Sequence, residues 1–438
     1  MKKSYLLIPL SMVLVATTAI SSVGAADKSV TLVVRHTQLG EAKQQRLNIL
    51  NDVLKRVSKD VSGVNFKLDG VDSDVNRKEK LRSEMATNSA PAIFDLFGGA
   101  DTQLYASEGK LLDLTPILKE LGLQDKFISL GEFTVGGKVY GLPIGGYQEG
   151  YFYNKPYFEQ KKLKVPQTLD ELEKLADVIK KSGKTPFAQA SKQAWVPLMT
   201  ANTLWSRYAG PDITSGFATG KTKWNSPEMV AAFTKYQDWV NKGYFKKGEL
   251  GLEYAEQRNQ LIRGEAIMMY DGSWASSVFA DPKQAGKMTN QVGYFAMPKA
   301  SNGKGSQTAV NGGFSNGYGF SAKVKKDAKQ LAAVKSFIKN MYNDEMQIRG
   351  LEADGVLPSM KVDSGKLAKA KVSDLVKDII AVGNKASGAF PAFDSMVQAD
   401  VNTAISEGIQ KLIGGQTTAK KMLDAVQKVQ QEANDNDE

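Results

Sequence analysis

The sequence predicts an α/β protein of two domains, and three observations carry that expectation. Segments with strand character alternate with segments of helical periodicity. About 410 residues remain after a predicted N-terminal leader, enough for two domains of ordinary size. Extended stretches broken by Pro and Gly interrupt the alternation, as expected where a chain crosses between domains.

Ser29 to His36 has the composition of a strand, and Leu47, Leu50, Leu54 and Val57 then share one helical face. Val64 to Leu68 alternates like a second strand. A helix over about Asn76 to Thr87 leads into Pro91 to Phe97, a buried-strand pattern that ends in Gly98-Gly99-Ala100-Asp101. In such folds ligand loops sit at strand ends. Leu142 to Tyr147 (LPIGGY) reads as a crossover between lobes.

Thr168 and Glu171 form a capping box for a helix that continues through Leu172, Leu175, Ala176 and Ile179. Ser226 caps another, with Pro227 in its first turn and Val230, Phe233 and Val240 on its apolar side. Residues 298–316 suit a loop or a second crossover. Tyr318 to Ser321 reads as a strand, Lys329 to Tyr342 as a helix, and Gly355 to Pro358 as a third crossover. Helices near 396–413 and 418–430 close the chain.

Residues 1–25 have the pattern of a signal peptide: Lys2 and Lys3, an apolar run from Tyr5 to Ile20, and small residues at Val23-Gly24-Ala25 for cleavage before Ala26. An uncleaved anchor is the competing reading. Ser11, Thr17 and Thr18 interrupt the run and speak against it. The chain has no cysteine, which excludes disulfides, thiol catalysis, cysteine-held zinc or iron–sulfur clusters, and a lipid anchor on an N-terminal cysteine. A free, secreted protein in the periplasm or the medium is expected. Loss of Lys2 and Lys3 lowers the formal charge from +10 to +8. The lysines are spread along helices without interleaved aromatics, so a solvated surface is expected and no nucleic-acid partner.

Enzyme signatures are scarce. His36 is the one histidine, and there is no HExxH, GxSxG or phosphate loop. No metal or cofactor is expected. Carboxylate pairs such as Asp170 and Glu171 sit at helix starts, where capping explains them. Paired glycosidase carboxylates stay open among 47 acidic residues.

Aromatic and amide side chains at loop ends are more suggestive. The segment GEAIMMYDGSW (264–274) reads as a strand, a Gly-Ser turn and then Trp274. Other candidates are His36, Gln38, Asp101, Tyr147, Gln148, Trp195, Asn311, Gly313, Phe393 and Asp394. Sugar rings have apolar faces and a rim of hydroxyls, so a matching site combines aromatic planes with planar polar groups. Each candidate also has a plainer role: Trp195 or Trp274 as core filling, His36 as a local hydrogen-bond partner, Asp101 as a turn or cap residue.

Five segments in order resemble the bacterial extracellular solute-binding proteins of carbohydrate ABC transporters, the maltose-binding type. They are PAIFDLFGGADTQLYASEGKLLDLTP (91–116), GKVYGLPIGGYQEGYFYNKPYF (137–158), VPQTLDELEKLADVIKKSGKTPFA (165–188), GEAIMMYDGSWASSVF (264–279) and YGFSAKVKKDAKQLAAVKSFIKNMYNDE (318–345). The resemblance implies a two-lobe periplasmic-binding-protein fold (type II) with the ligand in a cleft between lobes joined by hinge crossovers. One lobe would be 27–144 with 303–354, the other 145–302 with 355–438. It also implies a monomer that carries a carbohydrate to the transmembrane subunits of a permease and breaks no bond. Trp274 matches the turn tryptophan that stacks on sugar, and Tyr147 the contact after the first crossover. Trp195 and Phe393 lie near other contact positions. Ser273 stands where Pro is common. A secreted polysaccharide-active enzyme, or a binding protein for a non-sugar solute, is the alternative.

Overall fold

Leu32, Val34 and Ile93 are buried because two helices from distant parts of the chain cover the neighbouring strands that carry them. The computed structural model describes residues 29–40 and 43–437; the predicted signal peptide, 1–25, lies outside the described residues. The first sheet runs in the order Val64–Gly70 (β2), Val30–His36 (β1), Ile93–Phe97 (β3), Asn316–Phe320 (β12) and Gly141–Pro143 (β6). β1 is parallel to β2 and β3, and β12 runs antiparallel to β3 and β6. Leu50, Val53 and Val57 of helix Gln44–Asp60, and Val334, Phe337 and Ile338 of helix Ala328–Met341, cover it. Thr134–Val135 (β4) and Lys138–Val139 (β5) form a small hairpin beside it.

The second sheet runs Ala389–Phe390 (β13), Val310–Gly313 (β11), Tyr147–Asn154 (β7), Ala266–Gly272 (β9) and Thr185–Ala188 (β8), with Val292–Phe295 (β10) also on β7. Both faces of it are covered. Tyr151, Met268 and Tyr270 pack with Trp205, Trp239 and Ile405 on one side; Phe152, Met269 and Ile379 pack on the other. The four buried apolar clusters thus divide two to each sheet, as the α/β two-lobe expectation requires. Among the described residues no helix is long and apolar enough to cross a membrane.

The helix caps follow the sequence. Thr168 Oγ1 accepts the N–H of Glu171 at 3.2 Å, and Ser226 Oγ that of Met229 at 3.4 Å. The return bond differs from a simple box: Glu171 takes the N–H of Gln167, one residue earlier than the cap.

The chain changes sheets at three adjacent places: 144–146, 314–315 and 355–357. Ile144 N donates to Asn316 O at 3.0 Å and Gly146 N to Leu357 O at 2.7 Å, which ties the three segments together. Residues 310–313, which the expected boundary at 303 assigns to the first lobe, pair with β7 and β13 of the second sheet. The second crossover is therefore Phe314-Ser315.

Candidate functional site

β9 is buried along its whole length and delivers the turn at Asp271–Trp274 to the mouth between the two sheets. Ser273 fastens that turn: its Oγ accepts the Gln148 N–H of β7 at 3.3 Å, a bond proline has no atom to make. The Trp274 ring lies over Gly272, where a Cβ would stand 2.2 Å from it, so the ring needs glycine beneath. Trp274 Nε1 donates to the Tyr254 hydroxyl at 2.6 Å. Tyr147 stands 5.8 Å from Trp274, and Trp195 meets Tyr254 edge-on at 4.5 Å. Four half-buried rings from four different elements thus form one wall.

Asp271 anchors this wall. Its carboxylate accepts the Tyr254 hydroxyl at 2.6 Å and Arg258 Nε at 3.2 Å, and the Arg258 guanidinium lies 4.2 Å over the Tyr254 ring. Burial pushes the Asp271 carboxyl up, against the pull of Arg258.

Under the aromatic wall lies a polar floor. Glu149 of β7 faces Gly272 of β9 in the ladder. On the other side of β7, Gly312 faces Gln148 and Gly313 faces Tyr147, so the next step in register sets Asn311 beside Glu149. Glu149 is 3 % exposed and Asn311 1 %. Glu149 Oε2, both amide atoms of Asn311 and Asn202 Nδ2 have no hydrogen-bond partner among the described residues. Burial, with Asp394 and Asp271 nearby, raises the Glu149 carboxyl well above the usual range.

The opposite wall belongs to the first lobe and is ionic. Arg77 donates from Nε to Asp101 at 2.6 Å and lies 3.7 Å over the Phe97 ring. It also reaches across to the second lobe, where Nη1 meets Asp394 Oδ2 at 2.7 Å and Nη2 meets Asp394 O at 2.6 Å. Gly99 (φ +73°) backs onto Ser395 so closely that a Cβ there would fall 1.9 Å from the Ser395 carbonyl oxygen. Glu132 takes the Phe314 N–H at 3.0 Å beside the second crossover, and burial raises its carboxyl.

Of the eleven residues singled out in the sequence, Tyr147, Trp195, Trp274, Asn311, Gly313, Asp101 and Asp394 come together at this cleft. Four do not present a side chain to it. His36 is buried and its Nδ1 accepts the Gln38 N–H at 3.2 Å, a local turn bond; burial lowers its pKa. Gln38 lines a small cavity with Arg46, Ile144 and Tyr318 instead. Gln148 points through the other face of β7, where its Nε2 donates to Ile379 O at 3.2 Å, because neighbours on a strand alternate. Phe393 is core, packed edge-on to Trp205 at 5.6 Å.

Glu149, Tyr254, Arg258, Asp271, Asn202 and Arg77 were not singled out from the sequence. Two signals for them exist. Glu149 is two residues from Tyr147 on a strand, hence on the same face, and Tyr254 and Arg258 are four apart on a helix.

Residues 44–348 match the profile of the family described as bacterial extracellular solute-binding protein. The multiple sugar-binding protein of Streptococcus mutans serotype c is 25% identical over 319 residues, 70% of this chain and 71% of that protein. Among solved structures, a chitin oligosaccharide binding protein is 42% identical with a TM-score of 0.88, covering 93% of this chain and 99% of its own. The maltose-bound MalE3 of T. maritima superposes with a TM-score of 0.76 at 19% identity, over 92% of this chain and all of that one, a likeness of fold alone.

Proposed function

Because the chain belongs to the bacterial extracellular solute-binding protein family, we propose that it is the substrate-binding component of an ABC importer for oligosaccharides, with chitin oligosaccharides as the leading class. The four-ring wall of Trp195, Tyr254, Trp274 and Tyr147 carries this reading. Such a wall offers flat apolar faces to successive pyranose rings. Tyr147, Trp195, Trp274, Asn311 and Asp394 are the candidate contacts that this reading keeps, Asp101 positions Arg77, and Gly313 leaves room beside Tyr147. The chitin oligosaccharide binding protein, at 42% identity over nearly the whole chain, supports the sugar class.

The protein works as a secreted, periplasmic monomer without turnover. Ligand favours the closed arrangement because only there do both walls touch it, and the closed form docks on the permease subunits. Calorimetric titration against chito-, cello-, malto- and xylo-oligosaccharides tests the reading. One-to-one binding of a sugar recovered intact supports it. A silent panel, or sugar recovered cleaved, overturns it.

A further inference from the structure

The polar floor under the rings offers more hydrogen-bonding capacity than a hydroxyl uses. Among the described residues, Glu149 Oε2 and both amide atoms of Asn311 are buried without partners on one face of β7 and β11. A buried polar atom left unpaired costs roughly 1–3 kcal/mol. Three on one face, an amide N–H among them, therefore call for a ligand group that supplies both a donor and an acceptor. Tyr147, two residues along β7, and Phe390, beside Asn311 in the β13 ladder, stand on that same face and add apolar surface.

We propose that Glu149 and Asn311 form the subsite that reads the acetamido group of an N-acetylated sugar residue. This rests on the reading of the cleft as an oligosaccharide site and names the group that decides which oligosaccharide is taken. An acetamido group has one N–H, one carbonyl oxygen with two lone pairs, and a methyl. The N–H donates to Glu149 Oε2, the carbonyl accepts from Asn311 Nδ2, and the methyl meets the flanking rings. Asn311 Oδ1 is left for a neighbouring hydroxyl. A sugar with a plain hydroxyl at that carbon leaves one or more of these atoms unpaired, so the discrimination comes from the floor rather than from the aromatic wall.

The test compares N,N′,N″-triacetylchitotriose with cellotriose, which differ only in acetamido against hydroxyl. Affinities are measured by a method that reaches the millimolar range, for the wild type, Glu149→Met, Asn311→Leu and Trp274→Ala. The wild type is expected to bind the acetylated trimer at least about tenfold tighter, as the loss of paired polar groups implies. Glu149→Met and Asn311→Leu, near-isosteric and apolar, each weaken the acetylated trimer about tenfold and change cellotriose less than about threefold. Their thermal midpoints without sugar stay level or rise, because an unpaired buried polar group is removed. Trp274→Ala weakens both trimers alike. Equal loss on both sugars, no loss, or a fall in midpoint for the floor variants overturns the subsite. A wild type that binds both trimers equally, with Trp274→Ala weakening both, overturns the acetamido subsite and leaves the oligosaccharide cleft standing. A wild type that binds no sugar of the wider panel overturns both.

Discussion

The two walls of the cleft differ in kind. The second lobe presents rings held in a dense frame: Trp274 over Gly272, its indole N–H on Tyr254, and Tyr254 on Asp271. The first lobe presents charge, and much of it is directed at the other lobe rather than at open space, as in Arg77 to Asp394. The difference teaches a division of labour. A preorganised aromatic wall holds the ligand with little ordering cost. An ionic wall that meets the opposite lobe sets how often the cleft closes.

That division breaks most visibly at Trp274. Trp274→Ala removes the central ring and the partner of the Tyr254 hydroxyl, and oligosaccharide affinity is expected to fall about a hundredfold, ~2–3 kcal/mol. Trp274 sits at the surface end of the frame, so far-UV circular dichroism and the melting transition should stay near the wild type. An unfolded variant whose folded fraction binds normally would assign Trp274 to the core instead.

Gly99→Ala sharpens the comparison from the other side, without touching a ring. Its φ of +73° with ψ −127° is a conformation L side chains rarely adopt and disfavours alanine by roughly 1–3 kcal/mol, and its Cβ would collide with Ser395 of the opposite lobe. The first lobe still folds, but the closed state is held off. Apparent affinity then drops by the lost closed fraction, on the order of tens-fold. Small-angle scattering with saturating sugar should show a larger radius of gyration than the wild type. A variant that compacts normally on binding would show that this contact does not gate closure.

The alternation of strands and helices was legible because apolar periodicity decides it. Leu50, Leu54 and Val57 are buried where the pattern put them. The lobe boundary expected at 303 differs from the crossover at Phe314-Ser315 for a local reason. Val310–Gly313 has too little side chain to read as a strand, yet it must be glycine-rich, since a Cβ on Gly312 would lie 2.8 Å from Tyr147 O. In the site, Trp274 and Tyr147 stood out because a turn and a crossover flank them. Glu149 did not, since an acidic residue in a strand looks like a solvent-facing one until the pairing of β7 with both β9 and β11 buries it. Arg77 left no signal, because its partners Asp101 and Asp394 are 24 and 317 residues away.

A smaller effect separates the two partners of Arg77. Its bond to Asp101 lies within the first lobe, and its bonds to Asp394 join the lobes. Arg77→Gln should weaken sugar binding about five- to tenfold, around 1 kcal/mol, by loosening the closed state. Asp101→Asn should change affinity less than about twofold if Asp101 serves Arg77 alone. A larger loss with Asp101→Asn makes that carboxylate a direct sugar contact and moves part of the binding energy to the ionic wall.

The last contrast does not concern affinity. Each lobe buries a carboxyl, and the two titrate in different windows. Burial pushes Asp95 of the first lobe up to about 6, though Thr37 Oγ1 donates to it at 2.9 Å. Burial pushes Glu249 of the second lobe up to about 8, although Ser191 Oγ donates to it at 3.0 Å. In both, the folded chain holds the proton more tightly than the unfolded chain, where the values are 3.8 and 4.5. Stability therefore falls as pH rises, and the Asp95 part is exhausted by about pH 6–7. Above that, Glu249 of the second lobe titrates, and Glu149 of the same lobe and Glu132 of the first are displaced in the same direction. Between about pH 6.5 and 8.5 the melting midpoint should drop by a few degrees, at roughly 2–4 °C per kcal/mol for domains of this size. Glu249→Gln should remove part of that drop, and Asp95→Asn should leave it unchanged while flattening the response from about pH 4 to 6. The same slope in Glu249→Gln as in the wild type, or a slope lost in Asp95→Asn, would place the alkaline sensitivity in the first lobe and reverse the assignment.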